Sequence, residues 1–336
     1  MKRGLLEILA CPDCGGSFTT TSTAEEDGEI REGSLTCVAC RGSYPIVGFI
    51  PRCLPKHRSV GDERLADVQK MTQASFGYQW TTHDRYGWDD PHYNLEKEKR
   101  VFHQKTLFVD TELKGKRVLD AGCGNGRYLH QALECGAEVV GVDLSDAVEA
   151  ASRNTRRNPR AHVIQGDLLR LPFKPGIFDY QFSIGVLMHT GDARRALGSI
   201  LRHLKSGGSV AFRLYGRGNP CYEFNDRFLR GFTTRFSPRR LEELTWYGAM
   251  VTRVTRAIGI YRLLRGLFYL HKDPVILHDW YSAPVASHHS RREVERWFKD
   301  LGLVEARFGE SRKGLRALKN IFRPPGVTAR ASKPPA

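Results

Sequence analysis

The sequence predicts an α/β protein with three parts: an N-terminal cysteine-rich module, an open Rossmann-like sheet with helices on both faces, and a helical insertion. Three observations predict this arrangement. Two Cys-x-x-Cys pairs lie near the N-terminus, a glycine-rich turn follows a short apolar strand at 116–119, and apolar strands then alternate with helical patterns. With 336 residues, of which 40% are hydrophobic, the chain is long enough for two domains and has a globular composition.

The composition also indicates the surroundings of the protein. No stretch approaches the roughly 18 uninterrupted apolar residues of a membrane span, and the N-terminal run lacks the features of a signal peptide. Eight cysteines without such a signal favour metal ligands over disulfides and a reducing compartment. We therefore expect a cytoplasmic protein.

The net charge of +15 is concentrated in the last third of the chain. Residues 217–336 contain 23 Lys and Arg against 11 Asp and Glu, so this third carries +12. Such a surface can attract nucleic acid, an anionic membrane or an acidic substrate. The sign of the charge does not choose between these partners.

Two cysteine pairs predict a structural zinc site. Cys11 and Cys14, followed after 22 residues by Cys37 and Cys40, each have the two-residue gap that lets both thiolates reach one ion. Four thiolates leave no open coordination position, so the metal would be structural and not catalytic. The alternative is a redox pair or unrelated buried thiols. The gap between the pairs is slightly long for a zinc ribbon and predicts an extended hairpin tip at 25–33.

The residues around both pairs, LLEILACPDCGG and LTCVACRGSYPIVGFIPRCLP, resemble the small zinc-ribbon family that activates tRNA and protein methyltransferases. The resemblance covers residues 4–55. It implies a zinc-ribbon domain at 1–57 that is fused to the rest of the chain as a stabilising or docking module. Residues 1–60 have no net charge, which weakens the idea that the module grips RNA by itself.

Residues 58–111 are predicted to form a helical, aromatic-rich linker. Five aromatic residues between Phe76 and Trp88 are too costly to leave in water, so this stretch must pack on the following domain. It is either a strap over the core or a lid that lines the substrate pocket. A helical pattern then runs from Asn94 to Val109.

The turn after the first strand of the second domain is rich in glycine. It reads Asp120-Ala-Gly122-Cys-Gly124-Asn-Gly126, and a helix pattern begins at Arg127. A glycine-rich turn between strand and helix lets backbone amides and the helix N-terminus come close to a ligand. The spacing differs from the dinucleotide fingerprint, which requires a glycine or alanine at Arg127.

Acidic residues at the ends of the next two strands narrow the ligand class. The strand 138–142 ends in Asp143, 21 residues after Gly122, where a carboxylate can accept both hydroxyls of an adenosine ribose. The strand 162–165 is followed by Asp167, whose carboxylate can accept from an adenine amino group. The pattern therefore favours an adenosine-containing ligand.

The motifs VLDAGCGNG, VVGVDLS, GDLLRLPF, FDYQFSIGVLMHT and LKSGGSVAFRLY, in this order, resemble the class I S-adenosylmethionine-dependent methyltransferases, and especially their ubiquinone/menaquinone-methyltransferase-like branch. The resemblance covers residues 116–215. It implies a seven-stranded methyltransferase sheet with S-adenosyl-L-methionine as the cofactor. The residues that it assigns to the cofactor are Asp120, Gly122, Gly124 and Gly126 for the methionine part, Asp143 for the ribose, Asp167 and Leu168 for the adenine, and Ser183 beside the transferred methyl group.

The elements after these motifs fit the same domain, which we place at 112–322. A capping box from Ser290 to Glu293 opens the last helix. The predicted elements are a helix at 192–204, a strand at 209–214, a helix at 291–301, and closing antiparallel strands at 304–308 and 315–320. Residues 323–336, rich in Pro and Arg, are expected to form a disordered tail.

The resemblance places the insertion 216–289 over the active-site edge of the sheet as a cap. Its apolar helical stripe is interleaved with arginines; the stripe is Val254, Ile258, Tyr261, Leu264 and Phe268, and the arginines are Arg253, Arg256, Arg262 and Arg265. Three interpretations remain. The stripe packs inward, or it sits on an anionic lipid surface, or the arginines bind RNA, although few aromatics interleave for base stacking.

Methyl transfer from a sulfonium is an in-line displacement, so the protein contributes alignment and the removal of the acceptor's proton. His189, just after the fourth strand, is the candidate base, or else a structural histidine. Tyr281, His288 and His289 lie where relatives close the pocket and are candidate substrate contacts, or else solvated loop residues.

Two absences bear on the acceptor. The Asn/Asp-Pro-Pro-aromatic motif of amino-nitrogen methyltransferases is replaced by Ser183-Ile-Gly-Val186, and no cysteine lies there to attack a pyrimidine ring. We therefore expect a small or lipophilic acceptor, methylated at oxygen or carbon. The alternatives are an rRNA or tRNA methyltransferase and a scaffold that binds the cofactor without turnover. DNA is not an expected partner, and the lipid interpretation would place the protein at the inner membrane face.

Overall fold

The computed structural model describes residues 1–56, 63–88, 94–217, 220–310 and 326–336. The strands are β1 Phe18–Glu26, β2 Glu29–Cys37, β3 Ser43–Val47, β4 Ile50–Cys53, β5 Arg117–Ala121, β6 Glu138–Asp143, β7 Ala161–Gly166, β8 Phe178–Ile184, β9 Leu204–Gly216, β10 His288–His289, β11 Val304–Phe308 and β12 Val327–Ser332. The helices are α1 Glu63–Thr82, α2 Leu95–Thr106, α3 Asp110–Leu113, α4 Arg127–Glu134, α5 Ala147–Thr155, α6 Ala193–Leu201, α7 Pro220–Thr233, α8 Pro238–Ala257, α9 Tyr261–Leu264, α10 Pro274–Ser282 and α11 Arg291–Asp300.

The second domain contains the expected seven-stranded sheet, in the order β7-β6-β5-β8-β9-β12-β11. The first five of these strands are parallel, whereas β12 runs antiparallel between β9 and β11. Successive residues of β5 face opposite sides: Val118 packs with Phe102 and Leu129 on one face, and Leu119 with Leu197 on the other. Burial on both faces explains why these strands are continuous apolar runs.

The final strand corrects the prediction for the C-terminus. The expected strand at 315–320 lies outside the described residues, and the expected disordered tail is wrong for Val327–Ser332, which pairs with β9 along its whole length. Arg330 is buried there, and its guanidinium donates to both carboxylate oxygens of Glu112 at 2.8 and 2.9 Å. The Pro- and Arg-rich composition of residues 323–336 predicted disorder. The sequence alone does not reveal that Arg330 pairs with Glu112.

The N-terminal module is a four-stranded antiparallel ribbon in the order β1-β2-β3-β4. Its hairpin tip is shorter than predicted. Glu25 pairs with Ile30 and Glu26 with Glu29, so the turn is only Asp27-Gly28, where both residues have positive φ. The extra length between the cysteine pairs extends the β-ladder and not the loop.

The ribbon is continuous with the large sheet, because β4 pairs in parallel with β7. Beyond this pairing, the backbone amide of Ala10 donates to the Pro172 carbonyl, and that of Lys174 donates to the Ile8 carbonyl, both at 2.9 Å. Leu5 and Leu9 belong to the same buried cluster as residues of the loop after β7. The ribbon therefore covers what would otherwise be an open sheet edge.

The linker and the insertion supply the helices above the sheet. Helix α1 contacts α5, α8 and α10. Helix α2 begins where the predicted helical pattern starts, after Asn94, whose side chain caps it by accepting from the Lys97 amide. In the insertion, α7 and α8 both contact α10. The capping box at Ser290 and Glu293 is formed as predicted. Within the described part of the chain, no helix is both long and apolar enough to cross a membrane.

Candidate active site

A cavity of about 330 Å³ lies at the carboxyl ends of the parallel strands. Its floor is the glycine-rich loop after β5, with the residues that follow β6, β7 and β8. Helices α1 and α10 supply the opposite walls. The carboxyl edge of a parallel sheet, where the strand order reverses around β5, is where ligands bind in open α/β folds.

The glycine loop is shaped for close approach of a ligand. Gly122, Gly124 and Gly126 have φ of +93°, +52° and +84°, which disfavour side chains. A Cβ at Gly122 would come within 2.4 Å of the Val186 side chain. Gly122 and Gly124 line the cavity as expected, whereas Gly126 does not; it lies behind the loop and caps the start of α4.

Asp143 stands at the tip of β6 and lines the cavity. Its Oδ2 accepts from the Gly124 amide at 3.0 Å, and its Oδ1 accepts from the Ser145 amide and hydroxyl at 2.9 and 2.7 Å. Burial raises the pKa of this carboxyl, although these three donors act in the opposite direction. The carboxylate is thus held rigidly, as an acceptor for a polar ligand group should be.

Asp167 and Leu168 also line the cavity. Asp167 Oδ1 accepts from the Leu169 amide at 2.9 Å, and Oδ2 accepts from the Gln69 side chain of α1 at 2.8 Å. The linker helix therefore contacts the predicted adenine-binding carboxylate directly. Because α1 also contributes Phe76, Gln79 and further lining residues, the lid interpretation of the linker is favoured over the strap.

Besides Gly126, two further predicted cofactor residues do not reach the cavity. Ser183 is fully buried, and its hydroxyl donates to the Ala121 carbonyl at 2.8 Å, a hydrogen bond between β8 and β5. The cavity is lined instead by the next three residues, Ile184, Gly185 and Val186. Asp120 is also buried, and its Oδ2 has no partner among the described residues. Burial, reinforced by the Asp143 charge, raises the pKa of Asp120 far above its usual value.

His189 lines the cavity but is a poor base. Its Nδ1 lies 2.7 Å from the Val285 carbonyl, and its ring packs against Phe76 and Tyr215, with centroids 5.2 and 5.4 Å away. Burial lowers the pKa of this imidazole to about 3, so it is neutral at physiological pH. These contacts favour the structural interpretation.

The three predicted substrate contacts lie outside the cavity lining. The Tyr281 hydroxyl donates to the Tyr269 carbonyl at 2.9 Å, and His289 bridges Ser287 and Glu293. His288 packs beside Trp280. Tyr281 lies on α10, whose cavity-facing residues are Val275, Ile276 and Asp279. Because of the helical period, Tyr281 lies on a different side of α10 from the three residues that line the cavity.

Asp279 is the most informative residue that the sequence analysis missed. Its Oδ1 accepts from the Gln79 amide at 3.4 Å, and burial raises the pKa of its carboxyl to about 6. It faces the cavity between Gln79 and the apolar side chains of Val275 and Ile276. The helical pattern of 274–282, capped by Asp273, could have placed these three α10 residues on one face.

Basic and aromatic side chains complete the cavity. Arg213, on β9, and Lys105, on α2, bring positive charge to its wall. Tyr215 stacks on Trp280 at 4.3 Å, and Trp280 stacks on Tyr269 at 3.9 Å. The aromatic stack extends the apolar wall from the sheet into the cap.

The four cysteines of the ribbon meet at one point. The thiol sulfurs of Cys11, Cys14, Cys37 and Cys40 all lie within 4.8 Å of one another. Sulfurs bound to one zinc ion at about 2.3 Å would be separated by similar distances, so the donor set fits a tetrahedral thiolate site. The Tyr44 hydroxyl lies 3.4 Å from Cys11 Sγ and donates to Asp13, which orients the ring beside the cluster.

Comparisons with known proteins match the two domains. Residues 119–212 match the family described as methyltransferase domain, and residues 2–48 match the Trm112p-like protein family. A tRNA U34 carboxymethyltransferase of Pseudomonas aeruginosa is 43% identical over 104 residues, which are 30% of this chain and 32% of that protein. A ubiquinone biosynthesis O-methyltransferase of Methylococcus capsulatus is 27% identical over 203 residues, 55% and 85% of the two chains.

Other relatives share less of their length. A tRNA (carboxymethyluridine(34)-5-O)-methyltransferase of Saccharomyces cerevisiae is 31% identical over 137 residues, 41% of this chain and 47% of that protein. The chain spans less than half the length of several of the curated relatives it matches.

Among solved structures, the chain is similar to magnesium protoporphyrin IX methyltransferase of Synechocystis with bound S-adenosylhomocysteine. The two are 18% identical, with a TM-score of 0.44, and the match covers 80% of this chain and 99% of the other. A complex of the Haloferax volcanii Trm112 methyltransferase activator with a putative methyltransferase is 15% identical, with 78% and 98% coverage and a TM-score of 0.44. At these identities the likeness concerns the fold alone.

The strand order, the glycine loop and the carboxylates on the next two strand ends define a class I S-adenosylmethionine-dependent methyltransferase domain, and the match at 119–212 agrees with them. The chain combines this domain with an N-terminal Trm112p-like domain. Both resemblances that the sequence motifs indicated are therefore confirmed.

Proposed function

We propose that the protein transfers a methyl group from S-adenosylmethionine to a hydroxyl oxygen of a small or lipophilic acceptor. The observation that carries this proposal is Asp279, a carboxylate on the cavity wall opposite the cofactor loop, with apolar Val275 and Ile276 beside it. A carboxyl with a pKa of about 6 is ionised at physiological pH and can accept the acceptor's proton. Apolar neighbours suit a lipophilic substrate.

The residues of the chain have separate roles in this proposal. The loop 122–125, Asp143 and Asp167 would hold the cofactor, which supplies an already activated methyl group. The positive φ of Gly122 and Gly124, together with the Asp143 and Asp167 carboxylates that line the cavity, fits a polar ligand in the floor. Asp279 would take the hydroxyl proton as the carbon–oxygen bond forms and the methyl–sulfur bond breaks, which leaves S-adenosylhomocysteine, and would later release the proton to solvent. Arg213 and Lys105 stabilise negative charge that develops on the acceptor oxygen.

A second candidate function is methylation of tRNA. Two of the relatives act on tRNA, by their names, and the net charge of +15 would favour any polyanion. The cavity walls favour the first function, because Phe76 of α1 and Val275 and Ile276 of α10 bring apolar side chains to the cavity.

Labelled methyl donor distinguishes these functions. The purified chain is expected to transfer label to components of an organic-solvent extract of cells and not to total RNA. Labelled RNA, with salt-sensitive RNA binding, would instead establish the second candidate. Cofactor binding without label in either fraction would indicate a scaffold without turnover.

We also propose that the cysteine cluster of the ribbon holds one structural zinc ion. Metal analysis is expected to give about one zinc per chain, and Cys14→Ser to lower the melting temperature of the protein because a structural thiolate site contributes directly to folding. Cys221→Ser is the matched control, since Cys221 is exposed and outside the cluster. A stable, zinc-free preparation would contradict the proposal.

A further inference from the structure

The cap exposes an unusual amount of apolar surface. Among the described residues, fourteen of the twenty exposed large hydrophobic side chains lie between Phe224 and Phe268. They are Phe224, Phe228, Phe232, Leu244, Trp246, Tyr247, Met250, Val251, Val254, Ile258, Ile260, Leu263, Leu267 and Phe268. Exposed apolar side chains that are concentrated in one part of a protein in this way are typical of interaction sites.

Helix α8 is apolar on the side that faces solvent. Leu241, Thr245, Ala249 and Thr252, spaced by three and four residues, are buried, and α8 packs against α10. On the opposite side stands an exposed stripe, also at helical spacing; it consists of Tyr247, Val251, Val254 and Ile258. The interpretation that the predicted stripe between Val254 and Phe268 packs inward is therefore wrong for Val254 and Ile258, which are 53% and 63% exposed.

Helix α7 has the same inverted arrangement. Its buried side is polar: Asp226 pairs with Arg230 at 2.8 Å and accepts from the Trp280 indole of α10. Its exposed side carries Phe224 and Phe228, which are 71% and 69% exposed, with Phe232 one turn further on. Two neighbours of α10 thus turn aromatic and aliphatic side chains away from the protein.

The charge of this surface is one-sided. Between Leu244 and Phe268 the chain contains four arginines and no Asp or Glu. Arg256 and Arg265 lie over the ring of Tyr261 at 4.6 and 5.5 Å, and Arg253 and Arg262 are exposed. We call the fourteen hydrophobic residues and these four arginines the cap face.

We propose that the cap face docks on the surface of an anionic phospholipid membrane. Aromatic and aliphatic side chains would enter the boundary between head groups and acyl chains, while the arginines pair with lipid phosphates. The charge complementarity argues for this occupant, because the arginines have no acidic residue among them. Since no helix in the described ranges could span a bilayer, the contact would be peripheral.

Other occupants fit the cap face less well. A second copy of the chain would bring arginines against arginines across a symmetric interface. RNA would leave the larger part of the surface without a partner, because eight of the fourteen side chains are aliphatic and cannot stack on bases. An anionic bilayer satisfies both the apolar and the basic parts of the surface.

The location of the cap face links it to the cavity. Helix α10, on which α7 and α8 pack, also presents Val275, Ile276 and Asp279 to the acceptor end of the cavity. A docked protein would hold that end beside the lipid, where a lipophilic acceptor is concentrated. This link rests on the proposed function, whereas the docking itself does not.

Co-sedimentation with vesicles tests the docking. The full chain is expected to bind vesicles of equal parts phosphatidylglycerol and phosphatidylcholine at least about tenfold more tightly than vesicles of phosphatidylcholine alone. Binding should shift the fluorescence of Trp246, which is exposed on the cap face. The shift should disappear in Trp246→Phe while sedimentation persists.

Paired variants separate the apolar and basic contributions. Phe224→Ser with Phe228→Ser, and separately Arg253→Glu with Arg262→Glu, are each expected to weaken vesicle binding at least about tenfold. Arg157→Glu with Arg202→Glu is the control of equal charge, because these exposed arginines precede β7 and β9 at the opposite edge of the sheet. The control should bind vesicles like the unchanged chain, and all variants should keep their affinity for S-adenosylmethionine.

Several results would overturn the docking proposal. The first is that the control variant loses vesicle binding as much as the cap-face variants, which would show that only net charge matters. The second is that the unchanged chain self-associates and the Phe224→Ser, Phe228→Ser variant is monomeric. The third is that the chain binds RNA, and that this binding is lost in the Arg253→Glu, Arg262→Glu variant but not in the control. Vesicle binding with no methylated lipophilic product would leave the docking standing and count against the proposed function alone.

Discussion

Replacing Asp143 with alanine is expected to weaken the binding of S-adenosylmethionine and S-adenosylhomocysteine by a factor on the order of a hundred or more. Hydrogen bonds to a charged acceptor contribute about 1.5–3 kcal/mol each, and a ribose offers two hydroxyls. The same carboxylate accepts from the Gly124 and Ser145 amides, so its removal also loosens the loop that forms the cavity floor.

Titration calorimetry measures this loss. The matched control is Asp146→Ala, which removes an exposed carboxylate three residues away that does not line the cavity. The control should keep the affinity of the unchanged chain, and thermal melting should show that both variants are folded. An Asp143→Ala protein that is folded and binds the cofactor normally would remove the basis for the adenosine site.

Replacing Asp279 with asparagine is expected to lower kcat by roughly a hundredfold to ten-thousandfold, the usual contribution of a positioned general base. Cofactor affinity should not change, because Asp279 lies on α10, away from the glycine loop. The asparagine amide can donate to Gln79 Oε1, which has no partner among the described residues, so the local packing should be maintained. Single-turnover rates with a methylated acceptor measure the effect.

The pH dependence of the rate provides a second test of Asp279. Burial raises the pKa of its carboxyl to about 6, so the carboxylate that accepts a proton forms as the pH rises through 6 and is lost below it. The rate of the unchanged protein should therefore rise with pH through this value, and Asp279→Asn should abolish that rise. His189→Gln is the comparison, since a pKa of about 3 keeps His189 neutral across the range. A rise that survives in Asp279→Asn and vanishes in His189→Gln would assign the base to His189.

The cofactor end of the site was predictable because its chemistry is local in sequence. Gly122 and Gly124 adopt conformations that disfavour a side chain, and Asp143 and Asp167 end strands whose apolar runs are continuous. Such features follow from backbone conformation and burial, which short motifs record.

The acceptor end was not predictable in the same way. Asp279 reaches the cavity only because α10 packs against α1 and α8 from a distant part of the chain. Tyr281 follows Asp279 by two residues, about half a helical turn, and so lies on another side of α10. The tail was misjudged because Arg330 finds Glu112 more than 200 residues away. Sequence patterns record local conformation but not such distant partners.

The pairing of β4 with β7 determines how the contact between the ribbon and the large sheet responds when the protein is diluted. Asp167 follows the strand to which the ribbon is hydrogen-bonded, with Cys53 opposite Gly166. Because ribbon and catalytic domain belong to one polypeptide, this contact forms without the entropy loss of bringing two separate molecules together. The contact between the ribbon and the sheet beside Asp167 therefore persists at any protein concentration, and no excess of a free subunit is needed to maintain it.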